Sequence, residues 1–457
     1  MKRFLRVRIP ALLSALEPGQ FFLVAGLIGG LILVVVTPPF QVPDEPAHFY
    51  SAYSVSQGRF LAGGGDDLPG ERLPSSLRRL VKIMVDDVPF HPERKIQPGT
   101  WQKARQLQLR PEETELSRFP KSLNYSGVPY LPQAFGIAVG RCFGATPLGL
   151  LYCARTANLF VAIALIFLAI RQLPGFRWLT ALLALMPMAM FLRSSVSADS
   201  VIMAIAFLLT ATIAKIAFKN QPPRGLSDFG LLVLLSAALC LTKPVYLPLV
   251  FASLAIPITR IPVRRPRLVF IAILVASVCA VTIGLSIAQP SVDAMNFRMK
   301  TMISEVIERP FGLVGSVLVD YIQHAPRYGA EFIGRLGWLD TPLPLGFLFM
   351  YLAVLIAFTI LDPGSSATVR PWQRIIFAAV VVASMLAISL AMYVIGGRIG
   401  GIQGRYFHPI ALAAVWIFHS GSSARFKHAP CVLPGAASLV FFLSLIVTCF
   451  TILARYY

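Results

Sequence analysis

Two adjacent carboxylates, Asp44 and Glu45, lie in a proline-rich stretch that directly follows the first long apolar run of the chain. The stretch reads PPFQVPDEPAHFY from residue 38, so four prolines restrict the backbone and His48 follows three residues after Glu45. A fixed acid pair at a membrane surface suits proton transfer or the binding of a divalent cation. The alternative is a turn with solvated charges. The rigid setting favours a functional acid pair.

A third acidic residue, Asp199, lies in the turn RSSVSADS (193–200) between two apolar runs. A carboxylate at the beginning of a membrane helix can cap the backbone N–H groups of its first turn. It can also face a site outside the helix, and the two roles are compatible. We therefore keep Asp199 as a candidate for both roles.

A single lysine, Lys243, lies in the short turn LTKPVY (241–246) between two further apolar runs. The charge pattern described below places this turn on the outer side, where lysines are disfavoured. The amine could reach the interface along its apolar stem, or it could bind an anion such as a lipid phosphate. The unusual position favours an anion site.

Two arginines, Arg398 and Arg405, lie in a glycine-dense turn, GGRIGGIQGRYFHP (396–409), that opens another apolar run. Glycines permit close approach of the backbone to a ligand, and arginines at a helix N-terminus favour phosphate. The alternative is a flexible loop whose arginines face lipid headgroups. We predict a phosphate-binding turn that also includes Gln403 and Tyr406.

A weaker pattern is GRLGWLD (334–340). Trp338 is typical of an interfacial anchor, whereas Arg335 and Asp340 fit a site and a structural role equally well. The full set of residues predicted to bind substrate is His48, Lys243, Arg335, Asp340, Arg398, Gln403, Arg405 and Tyr406.

The composition indicates which elements must position these residues. Of the 457 residues, 56% are hydrophobic and only 14% are charged, unlike a soluble globular protein. The apolar residues form continuous blocks of roughly 17–23, the length of a membrane-spanning helix and unlike the alternating strands of a membrane barrel. The lysines and arginines that give the net charge of +20 cluster between these blocks, as the positive-inside rule predicts. The basic charge therefore does not indicate a nucleic-acid partner.

We predict an all-α polytopic membrane protein with about eleven spanning helices, within a range of ten to thirteen. The first run is kept as a span because Thr37-Pro38-Pro39 is not a small-residue cleavage site. The predicted spans lie near 21–37, 148–170, 177–193, 198–216, 226–242, 244–260, 268–288, 344–361, 373–395, 405–419 and 433–454.

Basic loops set the predicted orientation, with the N-terminus in the cytoplasm. Alternation then holds if 128–145 lies on the outer face and does not cross; a twelfth span there is the alternative. Between 38 and 125 lie 11 of the 21 acidic residues, and a connection this long usually carries its own structure. The chain is thus divided into 1–37 (N-terminus and first span), 38–147 (large outer loop), 148–288 (spans two to seven), 289–343 (second outer loop) and 344–457 (spans eight to eleven).

The strings PDEPAHFY, SADS, LTKPVY, GWLD and IQGRYFHP together resemble the bacterial membrane-protein family DUF2142, over about residues 20–455. That family is grouped with the glycosyltransferases of the C-type (GT-C) fold, which use polyprenyl-phosphate-linked sugars. The DEPAHF string also resembles the Asp-Glu motif of protein O-mannosyltransferases, which likewise follows the first span.

The resemblance implies that Asp44 is the main catalytic carboxylate, with Glu45 beside it, and that Asp199 is the second acidic position of the superfamily. The segment 128–145 resembles its juxtamembrane helix, and Arg155 resembles the arginine at the start of its next span. A WWDYG-like motif is missing from the sequence, which leaves the donor sugar and the acceptor open.

These implications predict a multi-pass enzyme of the bacterial inner membrane. It would move a sugar from a polyprenyl-phosphate donor to a glycan, lipid or protein acceptor on the extracytoplasmic face, with inversion. Asp44 would take the acceptor proton or, with Glu45, help to hold Mg²⁺ or Mn²⁺. Arg405, Arg398 and Lys243 would stabilise the leaving phosphate.

Two other classes use the same features. A transporter or flippase for a lipid-linked glycan would use the basic outer cavity without bond cleavage by Asp44. Ionisable residues buried mid-membrane would favour transport, and the sequence has almost none. A non-catalytic assembly subunit is the third class, and loss of the acid pair would favour it.

Overall fold

The computed structural model describes residues 17–60, 70–118, 126–219, 223, 226–261, 266–288, 299–302, 304, 308, 310–362, 369–396, 400–419 and 429–457. Most of these residues are helical, in agreement with the predicted all-α class. Strands among them form two small antiparallel sheets. One sheet pairs β1 (Gly70–Pro74) with β2 (Thr114–Arg118), and the other pairs β3 (Arg335–Leu336) with β4 (Thr341–Pro342).

The helices are numbered along the chain. They are α1 (Pro18–Val36), α2 (Glu45–Ser56), α3 (Ser75–Val85), α4 (Pro98–Gln106), α5 (Leu131–Cys142), α6 (Pro147–Gln172), α7 (Arg177–Ala184), α8 (Pro187–Arg193), α9 (Ala198–Phe218), α10 (Leu226–Thr242), α11 (Leu247–Val250), α12 (Arg267–Ala288), α13 (Pro310–Gly334), α14 (Leu345–Leu361), α15 (Pro371–Gly396), α16 (His408–Ile417) and α17 (Ala429–Tyr456). Short 3-10 segments are Val128–Tyr130, Pro244–Tyr246, Phe251–Ala255, Ile258–Arg260 and Gly404–Phe407.

Six helices in the described part of the chain are long and apolar enough to cross a membrane, namely α1, α6, α9, α12, α15 and α17. This number is smaller than the eleven spans predicted. Prolines account for part of the difference, because they interrupt the backbone ladder of a helix. Pro187 separates α7 from α8, and Pro244 and Pro248 leave the following segment in short 3-10 and α-helical turns. Two further apolar helices, α10 and α14, have 17 residues each.

Ion pairs at one end of the bundle show how successive segments run. Arg177, at the beginning of α7, contacts Glu17, which precedes α1, at 3.4 Å. Lys215, in the last turn of α9, contacts Asp228, in the first turn of α10, at 2.7 Å. We call this the basic end. The opposite end, the site end, therefore collects the last residues of α1 and α10 and the first residues of α6 and α9.

The segment between α1 and α6 builds a small subdomain at the site end. It contains α2 to α5 and the sheet of β1 and β2, around the buried side chains of Leu73, Leu77, Leu80 and Met84. Its loop is fastened to the last helix, since the Ile96 N–H donates to the Tyr456 carbonyl at 2.9 Å. The subdomain is thus packed on the bundle.

The helix α5 occupies the segment 128–145, whose crossing was left open above. Its 12 residues rise about 18 Å, which is less than the roughly 30 Å of a hydrocarbon core. Gly136 packs so closely on α6 that a Cβ would collide with the Cys153 carbonyl. Leu131, Phe135 and Phe143 form an exposed stripe on the other side, as in interfacial helices.

The predicted second outer loop, 289–343, contains a helix of 25 residues, α13. Near its C-terminal end, the buried Glu331 carboxylate accepts a hydrogen bond from the Gly404 N–H at 2.8 Å. The helix therefore supports the turn that carries Arg405. Its polar residues kept its hydropathy below that of a span, which is why the sequence suggested a loop.

Candidate functional site

The turn from α1 to α2 holds Asp44 in an uncommon backbone conformation. Phe40 has a φ of 63° and Asp44 a φ of 61°, in the left-handed region that few non-glycine residues adopt. Asp tolerates this region better than Phe, because its short polar side chain can bond locally. Such strain persists only where the surroundings fix the backbone. Contacts from Glu45 and Trp338 fix it here.

Glu45 is the buried anchor of this turn, with a side chain that is 0% exposed. It accepts hydrogen bonds from Arg155 Nε and Nη2 at 2.8 and 2.7 Å, and from the N–H groups of Phe40 and Val196 at 2.8 and 2.9 Å. Four donors fill the roughly four acceptor positions of a carboxylate. Trp338 Nε1 donates to the Phe40 carbonyl at 3.0 Å, so both sides of the Phe40 residue are held.

Arg155 joins this turn to the end of α1. Its guanidinium is fully buried and donates to the carbonyls of Val34, Thr37 and Pro38 at 3.2, 2.7 and 3.0 Å. The last carbonyls of a helix have no partner within the helix, so a buried arginine satisfies them. Arg155 and Glu45 together fix the position from which α2 begins.

Four charged residues form a chain of ion pairs at the site end, called the ion cluster below. Arg405 Nη2 lies 2.5 Å from Asp44 Oδ2, and Arg405 Nη1 lies 3.3 Å from Asp199 Oδ2. Lys243 Nζ lies 3.7 Å from Asp199 Oδ1. The side chain of Arg405 is 1% exposed, whereas that of Asp44 is 54% exposed. The cluster is therefore buried except at Asp44, where it reaches the surface.

The structure thus brings together residues from four predicted motifs. Asp44 follows α1, Asp199 opens α9, Lys243 follows α10, and Arg405 precedes α16. The sequence predicted that these turns face one side, and in the fold they meet at one end of the bundle.

The turn before α16 aims Arg405 into the cluster. Arg405 Nε donates to Gln403 Oε1 at 2.6 Å, which orients the plane of the guanidinium. Gly404 packs against α13, and a Cβ there would collide with the Tyr328 carbonyl. The glycine is needed for this close approach, and Glu331 fixes the same residue through its N–H.

A buried amide pair holds the turn that carries Asp199. Asn158 Nδ2 donates to the carbonyls of Arg193 and Ser195 at 3.2 and 2.7 Å. Gln133 Nε2 donates to the Ser197 carbonyl at 3.1 Å. Side chains of α5 and α6 therefore satisfy carbonyls that would otherwise be buried without partners, and they fix the start of α9.

Tyr406 lies between the two cations of the cluster. Its ring centroid is 4.5 Å from Lys243 Nζ and 5.5 Å from Arg405 Cζ, within the range of a cation–π contact. The Tyr246 hydroxyl donates to the Tyr406 carbonyl at 2.9 Å and ties the Lys243 turn to the Arg405 turn. Both aromatic residues keep the cations close together.

His48 lies one turn along α2 from Asp44, and it is buried. Its Nδ1 is 2.8 Å from the Tyr130 hydroxyl oxygen, a hydrogen bond whose direction depends on the tautomer. Burial lowers the pKa of His48, although the carboxylates of Asp44 and Asp199 act in the opposite direction. His48 is therefore neutral at pH 7.

Burial alone would raise the pKa of the Asp44 carboxyl. The positive charge of Arg405, its hydrogen bond to the carboxylate and the nearby His48 together outweigh that effect, and the pKa of Asp44 lies below its ordinary value. Asp44 is therefore ionised at neutral pH. It can accept a proton once Arg405 is drawn away, because the charge that lowers its pKa is then removed.

Two residues predicted to bind substrate lie in the β3–β4 hairpin. Asp340 accepts hydrogen bonds from the N–H groups of Phe90 and Trp338 at 2.8 and 3.0 Å, and Arg455 Nη2 lies 3.4 Å away. These contacts join the hairpin, the subdomain and α17, which is a structural role. Arg335 pairs with Pro342 in the same hairpin. Arg398 lies outside the described residues.

The predicted metal pair does not fit the geometry around Glu45. A cation shared by Asp44 and Glu45 would need a lone pair on each carboxylate, and the four donors around Glu45 occupy its oxygens. Within the described ranges, no group of three or more His, Cys, Asp or Glu side chains could hold a metal ion.

A separate cavity of about 420 Å³ lies in the subdomain, lined by Tyr50, Arg78, Leu116 and Ser117. The Ser117 hydroxyl is buried and has no hydrogen-bond partner within the described residues. Tyr50 belongs to α2, the helix that begins after Asp44. The cavity offers hydroxyl and guanidinium donors on the side of α2 that faces β2.

Several residues of this site were missed in the sequence, namely Gln133, Tyr130, Asn158 and Glu331, and Arg155 was noted only through a resemblance. One signal was available. Polar side chains such as Arg155 and Asn158, inside an otherwise apolar span, are expected to face protein partners. The identity of those partners could not be read from the sequence.

A family model described as predicted membrane protein (DUF2142) matches residues 27–414. The chain belongs to this family. The matched range extends from α1 to α16, so it includes the whole ion cluster and the Glu45–Arg155 pair. Searches among curated proteins and among solved structures find no match. The DUF2142 description concerns the membrane alone and names no activity.

Proposed function

We propose that this DUF2142 protein is a membrane-embedded glycosyltransferase that moves a sugar from a polyprenyl-phosphate donor to an envelope glycan or lipid. The ion cluster is the observation that supports this function. It pairs a half-exposed carboxylate, Asp44, with the buried Arg405, and Asp199 links Arg405 to a second buried cation, Lys243. A donor whose phosphate lies at a membrane surface needs these groups together. The resemblance of the motifs to C-type glycosyltransferases supports the same reaction.

The proposed step is a direct displacement. The acceptor hydroxyl oxygen attacks the anomeric carbon of the sugar, and the bond from that carbon to the phosphate oxygen breaks. The hydroxyl proton passes to Asp44, and the electron pair leaves on the polyprenyl phosphate. Arg405 and Lys243 stabilise the charge that develops there, which is the main electrostatic task in the reaction.

In this mechanism Arg405 acts on both the carboxylate that takes the proton and the phosphate that leaves. Its guanidinium contacts both Asp44 and Asp199, and the two acids and two cations of the cluster balance in charge. A donor phosphate would compete with Asp44 for the Nη2 group of Arg405. Its arrival would free the Asp44 carboxylate and raise its pKa toward the ordinary value. Asp199 would remain paired with the Nη1 group of Arg405.

Glu45 takes a positioning role in this proposal. Its carboxylate is enclosed by four donors and is not available to a substrate. It fixes the backbone on which Asp44 stands. The acceptor would approach from the exposed side of Asp44, and the cavity beside α2 offers donors to further groups of a polar acceptor.

The site end would face the extracytoplasmic side of a bacterial inner membrane. The contacts at the basic end support this orientation, because Arg177 and Lys215 lie there and basic residues favour the cytoplasm. The eleven crossings predicted from the sequence are part of this proposal, and six helices of the described residues are long and apolar enough to make one each. Reporter fusions at Thr100 and Lys219 should then report opposite sides, outside and inside.

The test is sugar transfer by purified protein in liposomes, with a panel of labelled polyprenyl-phosphate sugars and extracted envelope glycolipids as acceptors. Wild type should transfer the label or release it to water, and Asp44→Asn should do neither. Equal activity of Asp44→Asn would remove the catalytic role. Movement of the labelled lipid across the bilayer without transfer would favour the transporter or flippase, and silence in a folded protein would favour an assembly subunit.

A further inference from the structure

The cavity of about 420 Å³ in the subdomain lies between α2, α3 and β2. Small-molecule sites in proteins enclose roughly 300–1,000 Å³ and combine apolar walls with a few well-placed polar groups. This cavity has both, since Leu116 and the aromatic Tyr50 line it together with Arg78 and Ser117. No step of the proposed displacement uses these groups.

The helix α2 separates this cavity from the ion cluster. His48 lies beside the cluster, and Tyr50, two residues later, is rotated by about 200° around the helix axis. Ser54, one turn beyond Tyr50, donates a hydrogen bond to Glu71 of β1. Glu71 is paired with Ser117 of β2, and paired residues of antiparallel strands share one face of the sheet. Tyr50 and Ser117 therefore face each other across the cavity, on the far side of α2 from the cluster.

The Ser117 hydroxyl is the innermost polar group of the cavity. Ser117 is 2% exposed, and its hydroxyl has no hydrogen-bond partner among the residues that the structure describes. Buried hydroxyls in folded proteins nearly always have a partner, because leaving one without a partner costs free energy. A ligand hydroxyl in the cavity would supply that partner.

Arg78 brings further donors to the cavity. Its side chain is 59% exposed and lies 3.7 Å from the Glu115 carboxylate, which is longer than a hydrogen bond. The guanidinium carries five N–H donors, and the described residues supply it with no closer acidic partner. Glu115 balances its charge, so the pair offers donors and acceptors without a net charge. Burial raises the pKa of Tyr50, so its phenol stays protonated.

We infer that this cavity binds a neutral sugar residue of a glycan, away from the residue that reacts. A sugar ring carries hydroxyls that donate and accept, and C–H faces that pack on side chains such as Tyr50 and Leu116. An anion would meet Glu115 as well as Arg78, and an apolar ligand would leave Ser117 without a partner. The inference rests on the proposed function only for the role of that glycan as the acceptor.

The position of the cavity fits an acceptor with several sugar residues. Tyr50 follows Asp44 by six residues, a rise of roughly 9 Å along α2. A glycan chain that extends from Asp44 around α2 can therefore place a second sugar residue in the cavity. The proposed enzyme would then prefer acceptors that are longer than one residue.

The test is equilibrium binding of sugars to the full-length protein, by titration calorimetry in a detergent without a sugar headgroup. The probes are three neutral trisaccharides, of glucose, galactose and mannose, with trigalacturonate as the acidic comparison. At least one neutral probe should bind, and trigalacturonate should bind at least tenfold more weakly. Ser117→Ala and Arg78→Gln should each lower the affinity for that probe about tenfold.

Stability separates a binding role from a structural one. Ser117→Ala should keep or raise the melting temperature, because it removes a buried hydroxyl that has no partner in the described part of the chain. Arg110→Gln is the matched control for Arg78→Gln. Arg110 is 64% exposed and also pairs with a surface glutamate, Glu113, and its loss should leave the affinity unchanged.

Unchanged affinity in either cavity variant would overturn the site, as would a folded protein that binds none of the neutral probes. Tighter binding of trigalacturonate than of every neutral probe would overturn the neutral ligand. Sugar transfer in liposomes is measured in parallel. Absent sugar binding with intact transfer contradicts the cavity alone, and sugar binding without any transfer contradicts the proposed function alone.

Discussion

Asp44 and Glu45 are neighbours in the chain with the same functional group, and the fold gives them opposite surroundings. Glu45 is enclosed by one arginine and two backbone N–H groups, and its side chain is 0% exposed. Asp44 is held by a single arginine and its side chain is 54% exposed. Each acid has an arginine partner from far along the chain, Arg155 for Glu45 and Arg405 for Asp44.

The difference shows how the two acids can divide structure from chemistry. A carboxylate whose lone pairs all accept hydrogen bonds holds its neighbours in place. Breaking its buried ion pair leaves an uncompensated charge. A carboxylate with free lone pairs at the surface can exchange a proton. Its neighbour, fixed in the backbone, determines where it stands. The predictions below test this division, beginning with the largest effect.

Asp44→Asn should lower the transfer rate by 10²–10⁴-fold, the usual contribution of a general base. The fold should persist, because Asn tolerates the left-handed backbone of this position as well as Asp does. The rate is measured on labelled donor in liposomes, with the melting temperature as the check on folding. Asp340→Asn is the matched control, since it should affect stability more than the rate. A fully active Asp44→Asn protein would end the distinction between the two acids.

Glu45→Gln should destabilise the fold by about 3–5 kcal/mol, because it leaves the buried Arg155 without a counter-charge. The measurement is thermal or denaturant unfolding in detergent. Glu115→Gln is a suitable control. Its partner Arg78 lies 3.7 Å away at the surface, and pairs of this kind add little. Wild-type stability of Glu45→Gln, combined with loss of transfer, would move the chemistry from Asp44 to Glu45.

Arg405→Lys should weaken donor binding about 10–100-fold while the protein still folds. Lysine keeps the charge but lacks the planar fork, so it cannot contact Asp44, Asp199 and Gln403 together. Binding of a polyprenyl-phosphate sugar is measured directly. Arg110→Lys, at a surface pair with Glu113, should leave that affinity unchanged. Unaltered donor affinity in Arg405→Lys would separate the ion cluster from the phosphate.

The sequence predicted that four turns share one side of the membrane domain, but not the contacts that join them. Charge alternation and the position of each motif beside an apolar run placed Asp44, Asp199, Lys243 and Arg405 at one face, and in the fold they meet at one end. Charge alternation and the position of a motif beside an apolar run are local signals, so they can be read from the sequence alone. The helical class followed from the same apolar runs.

The separate roles of the two acids could not be predicted in this way. They depend on Arg155 and Arg405, which lie 110 and 361 residues away from their partners. Likewise, Asp340 was grouped with the site, although its contacts are with Phe90 and Arg455, which lie 250 and 115 residues away along the chain. The places where helices break could not be predicted either. They depend on tertiary packing, since short helices such as α7 and α8 are held by neighbouring helices.

The smallest effect concerns His48, which is buried beside the half-exposed acid. It faces Asp44, Asp199, Arg405, Lys243 and the Tyr130 hydroxyl. Its folded pKa is lower than the 6.5 of an exposed histidine, so between these values the unfolded chain binds more protons than the folded one. Stability therefore falls as the pH drops below 6.5. Asp44 adds no slope there, since its pKa lies below 3.8.

His48→Asn should remove this share of the pH dependence, which is on the order of 1 kcal/mol between about pH 7.5 and 5.5. The measurement is the change in the free energy of unfolding between the two pH values, for wild type and for His48→Asn. Subtracting one change from the other isolates His48 from the other buried histidines. His91→Asn, at an exposed position, should retain the wild-type slope. If His48→Asn also retains it, the imidazole is as easily protonated in the fold as in water. The inference that a buried, neutral His48 lies beside Asp44 would then be wrong. The contrast between the half-exposed Asp44 and its buried surroundings would be wrong with it.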